Sequence, residues 1–152
     1  MVKEIPKRHI IGIDTMVFIY HLEDHPKFSS ITERLFDVVE KGRCTAVTSY
    51  ITLLEILVKP KRDGNLKAVS DYRDLLLTFP NLKFLSADLL ISDLASTLRA
   101  KHSIKTPDAI QIASAIIEGA NIFITNDEQL KKVKDIEIVL LNEWKGLNIS
   151  IK

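Results

Sequence analysis

His9-Ile10-Ile11-Gly12-Ile13-Asp14-Thr15 is the stretch on which the fold turns. Three isoleucines around one glycine make a short apolar run, the pattern of a strand buried on both faces. Thr15 then opens a helical pattern that reaches Leu22. Asp14 therefore stands at the carboxyl end of the strand, either capping the next helix or presenting its carboxylate to a ligand.

Outward from this unit the chain keeps alternating. Phe28 to Glu40 reads as a second helix, set off by His25-Pro26 and ended by Gly42. Cys44 to Thr48 reads as a strand, and Ser49 caps a helix that Pro60 is expected to terminate. Leu66 to Thr78 is helical and Asn81 to Leu85 a short strand. Ala87 to His102 is amphipathic, with Leu90, Leu94 and Leu98 at helical spacing. A helix that Thr106 caps and that runs to Gly119, a strand ending at Asn126, a short helix from Glu128 and a last strand Ile136 to Leu141 complete the series. Such alternation argues for an α/β fold, a three-layer α/β/α sandwich with a mostly parallel central sheet, in a single domain over residues 1–152. The strand order is not readable from this pattern.

Four isolated carboxylates punctuate the apolar elements. Besides Asp14 there is Glu55, the only charge in Ile51-Thr52-Leu53-Leu54-Glu55-Ile56-Leu57-Val58, a segment that reads as apolar all round. A charge there is costly unless it is paired or holds a metal. Asp108 lies in Thr106-Pro107-Asp108-Ala109, where Thr106 can cap and Pro107 suits the first helical position. Asp127 follows the apolar strand Ile122-Phe123-Ile124-Thr125. Asp108 and Asp127 also fit as plain helix-start residues, and Glu55 as half of a core salt bridge. Carboxylates that share a pocket repel one another, and a hard divalent cation relieves that repulsion. One or two Mg²⁺ or Mn²⁺ ions are therefore expected, with Asp14 and Asp108 as the direct ligands and Glu55 or Asp127 steering water.

The order Ile13-Asp14-Thr15, Ser49 to Glu55, Thr106-Pro107-Asp108-Ala109-Ile110-Gln111-Ile112-Ala113-Ser114-Ala115 and Thr125-Asn126-Asp127 resembles the PIN domain, in particular the VapC-type toxins of prokaryotic toxin-antitoxin pairs. The resemblance covers nearly the whole chain. It implies a metal-dependent endoribonuclease in which Asp14, Glu55, Asp108 and Asp127 are the catalytic, metal-holding acids, and it puts the first strand at the centre of the sheet. Thr15, Ser49 and Thr125 match the family's supporting hydroxyls, which orient the carboxylates. It further implies RNA cleavage leaving a 3′ hydroxyl and a 5′ phosphate, a small antitoxin whose tail blocks the acidic pocket, and a homodimer. The apolar run Met16 to Tyr20 would permit a dimer or partner groove, or is simply buried. Within the family the alternatives are a housekeeping RNA-processing nuclease and a non-catalytic module that binds RNA or protein.

Other classes fit less well. A phosphoaspartyl enzyme of the haloacid dehalogenase type needs a second Asp two residues after Asp14, where Met16 stands. A receiver-like domain needs an acidic pair at its first strand end and has no use for Glu55. The single cysteine, Cys44, precludes an internal disulfide and a Cys-based zinc module. A net charge of +1 gives no global attraction to nucleic acid, so contacts with RNA fall to local patches. Lys59, Lys61 and Arg62, in a basic turn beyond the Glu55 helix, are the candidates, with Lys131, Lys132 and Lys134 behind them; both groups also fit ordinary solvated surface. His21 and His25 are one helical turn apart but lack a third ligand, and read as surface histidines. No apolar stretch is long enough to span a bilayer, and Met1 to Arg8 lacks the apolar core of a secretion signal, so a cytoplasmic protein without membrane association is expected.

Overall fold

The computed structural model describes residues 9–144 and 146; Met1 to Arg8 and most of the tail after Trp144 lie outside it. In chain order the elements are β1 (His9–Ile13), α1 (Thr15–Leu22), α2 (Ser29–Glu40), β2 (Cys44–Ser49), α3 (Tyr50–Arg62), α4 (Leu66–Leu77), β3 (Leu82–Leu85), α5 (Leu89–His102), α6 (Thr106–Ile117), β4 (Ile122–Thr125) and β5 (Glu137–Leu140). Single 3₁₀ turns follow β4 and β5, at Glu128–Lys132 and Leu141–Glu143.

The five strands form one sheet of order β3-β2-β1-β4-β5, every pairing parallel, with β1 at the centre. Side chains alternate across the sheet as strand geometry requires. Ile11, Ile13, Ala46 and Ile124 join the core beneath α1, α2, α3 and α4, where Val17, Phe18, Leu35, Phe36 and Ile56 meet them. Val47 and Phe123 point the other way, into the core that α5 and α6 close with Ile91, Leu98, Ile112 and Ala115. The result is the expected three-layer α/β/α sandwich. Burial on both faces explains why β1 and β4 carry almost continuous apolar runs.

Gly12 has a steric reason to be glycine. A Cβ built there would lie 2.7 Å from the Cβ of Ala115 and 2.9 Å from Cδ1 of Phe123, so its absence lets α6 settle closely across the central strand. The chain winds outward through β1, β2 and β3, then returns through α5 and α6 to build β4 and β5 on the other side. The order therefore reverses between β1 and β4, and a crevice opens at their carboxyl ends.

Several local expectations need correction. Pro60 does not end α3, which continues to Arg62; its missing N–H forgoes the helical bond four residues back, and the Pro60 carbonyl accepts from Asn65 N–H at 2.8 Å. Lys59, Lys61 and Arg62 are thus the last helical turn rather than a loop, where cations suit the helix dipole. Thr106 is the first residue of α6 rather than its cap, a position held by Lys105 without a side-chain bond. The buried stripe of α5 is Ile91, Ala95 and Leu98, while Leu90 faces solvent. Nor is α3 apolar all round for burial: Leu54 is 59% and Val58 42% exposed. His21 and His25 are packing residues, His21 against Phe36 and the Thr32 hydroxyl, His25 against Tyr20 and Phe28. Along Met16 to Tyr20, Val17 and Phe18 are buried and Met16 is exposed.

Candidate active site

Asp14 is built into the crevice by three hydrogen bonds. Its backbone N–H donates to the Ile124 carbonyl at 2.9 Å, which ties the end of β1 to β4. Its Oδ1 accepts from Thr15 N–H at 2.8 Å and so caps α1, while Oδ2 accepts from the Thr125 hydroxyl at 2.7 Å. The capping reading of Asp14 thus holds for one oxygen, which serves α1, while the other is held by Thr125 of β4. The residue is only 8% exposed. Burial pushes its acid up from 3.8 to about 6; the Thr125 hydroxyl and Thr15 N–H oppose that rise, while Asp108 and then Glu55 add to it by repulsion.

Asp108 stands half-buried in the first turn of α6. Its acid too is raised, first by burial and then by Asp127 and Glu55, with Lys105 pulling the other way. Asp127 is exposed at the rim, where Oδ1 accepts from Gln129 N–H at 3.0 Å and its own N–H donates to the Thr125 hydroxyl at 3.1 Å. Thr125 thus links Asp14 to Asp127. Glu55 projects from the middle of α3 into a hollow of about 470 Å³ that also meets Ile19, Lys59 and Tyr72. A second hollow, of about 220 Å³, lies against Asp108 and Asp127 and is edged by Lys105 and Lys132.

The four acids thus act on one another across the crevice, and no salt bridge among the described residues reaches any of them. Nor do three acidic, histidine or cysteine side chains among the described residues already converge on one metal position. The donor chemistry nevertheless suits a hard cation. All donors are oxygens, excess negative charge is left uncompensated, and Mg²⁺ characteristically takes one or two carboxylates and keeps several waters rather than entering a protein cage.

The supporting groups divide. Thr125 touches two of the acids directly. The Ser49 hydroxyl caps α3 by accepting from Ile51 N–H at 3.0 Å, and the Thr15 hydroxyl turns inward to Thr52 and Gln111. Lys59, Lys61 and Arg62 are all exposed, and of the three Lys59 lines the larger hollow, 3.7 Å from Glu23. Lys131 pairs with Glu143 at 2.7 Å, leaving Lys132 as the lysine of that stretch beside the acids. Gln111 is the residue that motif reading passed over as a site residue; one amide among Ile110, Ile112 and Ala113 was the available signal.

Fold and site together define a doubly wound α/β protein with an acidic crevice at its topological switch point. The sequence profile of the PIN domain matches residues 11–136, and the chain belongs to that family. Its fold is similar to a chain of VapBC2 from Rickettsia felis bound to a promoter DNA fragment, with TM-score 0.70, 18% identity, and 86% of this chain and 98% of that one covered. A toxin-antitoxin complex from Klebsiella pneumoniae gives TM-score 0.66 at 18% identity over 90% and 99% of the two chains. VapBC-1 from nontypeable Haemophilus influenzae gives 0.62 at 20% over 88% and 98%. At such identities the likeness is one of fold. No curated protein matches the sequence.

Proposed function

We propose that this protein is a Mg²⁺- or Mn²⁺-dependent endoribonuclease, working as one domain in the cytoplasm as the toxin of a toxin-antitoxin pair. The observation that carries the reading is the set of four mutually repelling carboxylates around Asp14, in a chain of the PIN family. Asp14 and Asp108, the pair with raised acids, would hold one or two divalent cations. Bound there, the cation supplies Lewis-acid activation of water and neutralises charge growing on the phosphate. Glu55 and Asp127 would orient the attacking water and take its proton. Lys132 and Lys105 edge one approach and Lys59 the other, where lysines favour a polyanion by charge without reading its sequence. Lys61 and Arg62 extend that basic edge outward.

Similarity to chains from VapBC and toxin-antitoxin complexes supports a small antitoxin partner; a tail of that partner seated in the acidic pocket and a homodimeric assembly are further parts of this proposal. A neighbouring antitoxin gene would separate a toxin from a housekeeping RNA-processing nuclease.

The test is cleavage of tRNA, rRNA fragments and single-stranded DNA by purified, partner-free protein with Mg²⁺, Mn²⁺ or chelator, beside Asp14→Asn and Asp108→Asn. RNA cutting that requires the metal and falls by about 100-fold or more in either variant is expected, the scale of losing a group that stabilises transition-state charge. Full activity in Asp14→Asn sinks the mechanism. Silence of the folded wild type across the panel, with RNA binding intact, favours a non-catalytic module.

A further inference from the structure

Gln111 is 2% exposed, on the face of α6 turned toward the crevice floor. A buried primary amide is unfavourable unless its two donors and its acceptor oxygen are satisfied. Here they are, by residues from three other elements. Nε2 donates to the Thr15 hydroxyl of α1 at 2.9 Å and to the Thr52 hydroxyl of α3 at 2.6 Å. Oε1 accepts from the backbone N–H of Ser49 at 3.1 Å and lies 3.2 Å from the Thr48 hydroxyl of β2. The Ser49 N–H can only donate, so it fixes which way the amide faces. Thr52 in turn lies 3.0 Å from Thr15 and 2.7 Å from Thr48, and Thr48 donates to the Ile13 carbonyl at 3.1 Å.

Each anchor adjoins an acid. Thr15 follows Asp14, Thr52 is one helical turn before Glu55, and Gln111 is one turn after Asp108. Thr125 extends the series to Asp127. We infer that Gln111 is the positioning residue of the acid cluster: its amide, clamped by Thr15, Thr52 and Ser49, sets the spacing of Asp14, Glu55 and Asp108 for a divalent cation without touching cation or substrate. A pure packing role would be served by Leu or Met, and would not need an amide that uses both N–H groups and its oxygen across four elements. The inference rests on the metal-nuclease reading.

The test compares wild type with Gln111→Met, Thr52→Val and, as a control for loss of stability alone, Ile112→Val on the buried face of α6. Each is melted in chelator, titrated with Mn²⁺ by calorimetry, and assayed for kcat and KM on an RNA that wild type cuts. Gln111→Met and Thr52→Val are expected to weaken Mn²⁺ by about 10-fold or more, the scale on which residues behind metal ligands act. Their kcat should fall while KM for RNA holds, with Ile112→Val matching wild type in Mn²⁺ affinity. If Gln111→Met does not fold, Thr52→Val carries the same readout. Mn²⁺ affinity equal to wild type in the folded variants overturns the positioning role and leaves the nuclease reading standing. A wild type that neither binds Mn²⁺ nor cuts RNA overturns both.

Discussion

Asp14 carries two opposed demands. Its oxygens accept hydrogen bonds that favour the charged form, yet burial and the charges of Asp108 and Glu55 outweigh them and raise the acid to about 6. Between about pH 4 and 6 the metal-free folded protein therefore keeps a proton on Asp14 that the unfolded chain has released. Stability from this group is present at low pH and is lost as pH rises through that window, by on the order of 3 kcal/mol from a rise of about two pH units at about 1.4 kcal/mol each. Asp108, also raised, acts in the same direction. Denaturant unfolding in chelator from pH 4 to 7 should show a declining limb that Asp14→Asn flattens. Equal slopes in the two proteins would refute this account of Asp14.

Among the elements, α6 bears most on the site, because it brings Asp108 to the rim and Gln111 to the floor while packing across β1. Its approach depends on Gly12. Ala115 has no rotamer with which to move aside, so Gly12→Ala must shift α6 away from β1 and displace Phe123 as well. The expected loss is about 1–3 kcal/mol, the usual result of overpacking a filled core. It should appear as a lower urea midpoint, accompanied by weaker cleavage as α6 carries its acid away. An unchanged midpoint would mean that the contact yields freely. Periodicity located this helix well, since its apolar run is long, but missed that Thr106 lies inside it. A cap is a matter of one residue's backbone geometry, which pattern does not resolve.

At the scale of the whole molecule, the site exists only when the chain is folded, because its acids come from the ends of β1 and β4, the middle of α3 and the start of α6. A cation that binds this arrangement and not the unfolded chain must stabilise the protein by mass action, by about 2.7 kcal/mol at 100 times its Kd. Mn²⁺ should therefore raise the melting temperature of wild type at pH 7 and leave that of the Asp14→Asn, Asp108→Asn double variant in place. A shift of equal size in both would put the cation elsewhere. Run length and periodicity mark the strands and most of the helices, and a charge set in an apolar segment marks Asp14, Glu55, Asp108 and Asp127 as candidates, because all of these are properties of neighbours along the chain. The order β3-β2-β1-β4-β5, the facing of the acids and the place of Gln111 come instead from contacts between distant segments, visible once the chain is folded. An amide among isoleucines gains its meaning from Thr15, Thr52 and Ser49, residues 59 to 96 positions away whose approach is set by the packing of α1, α3 and α6 against the sheet.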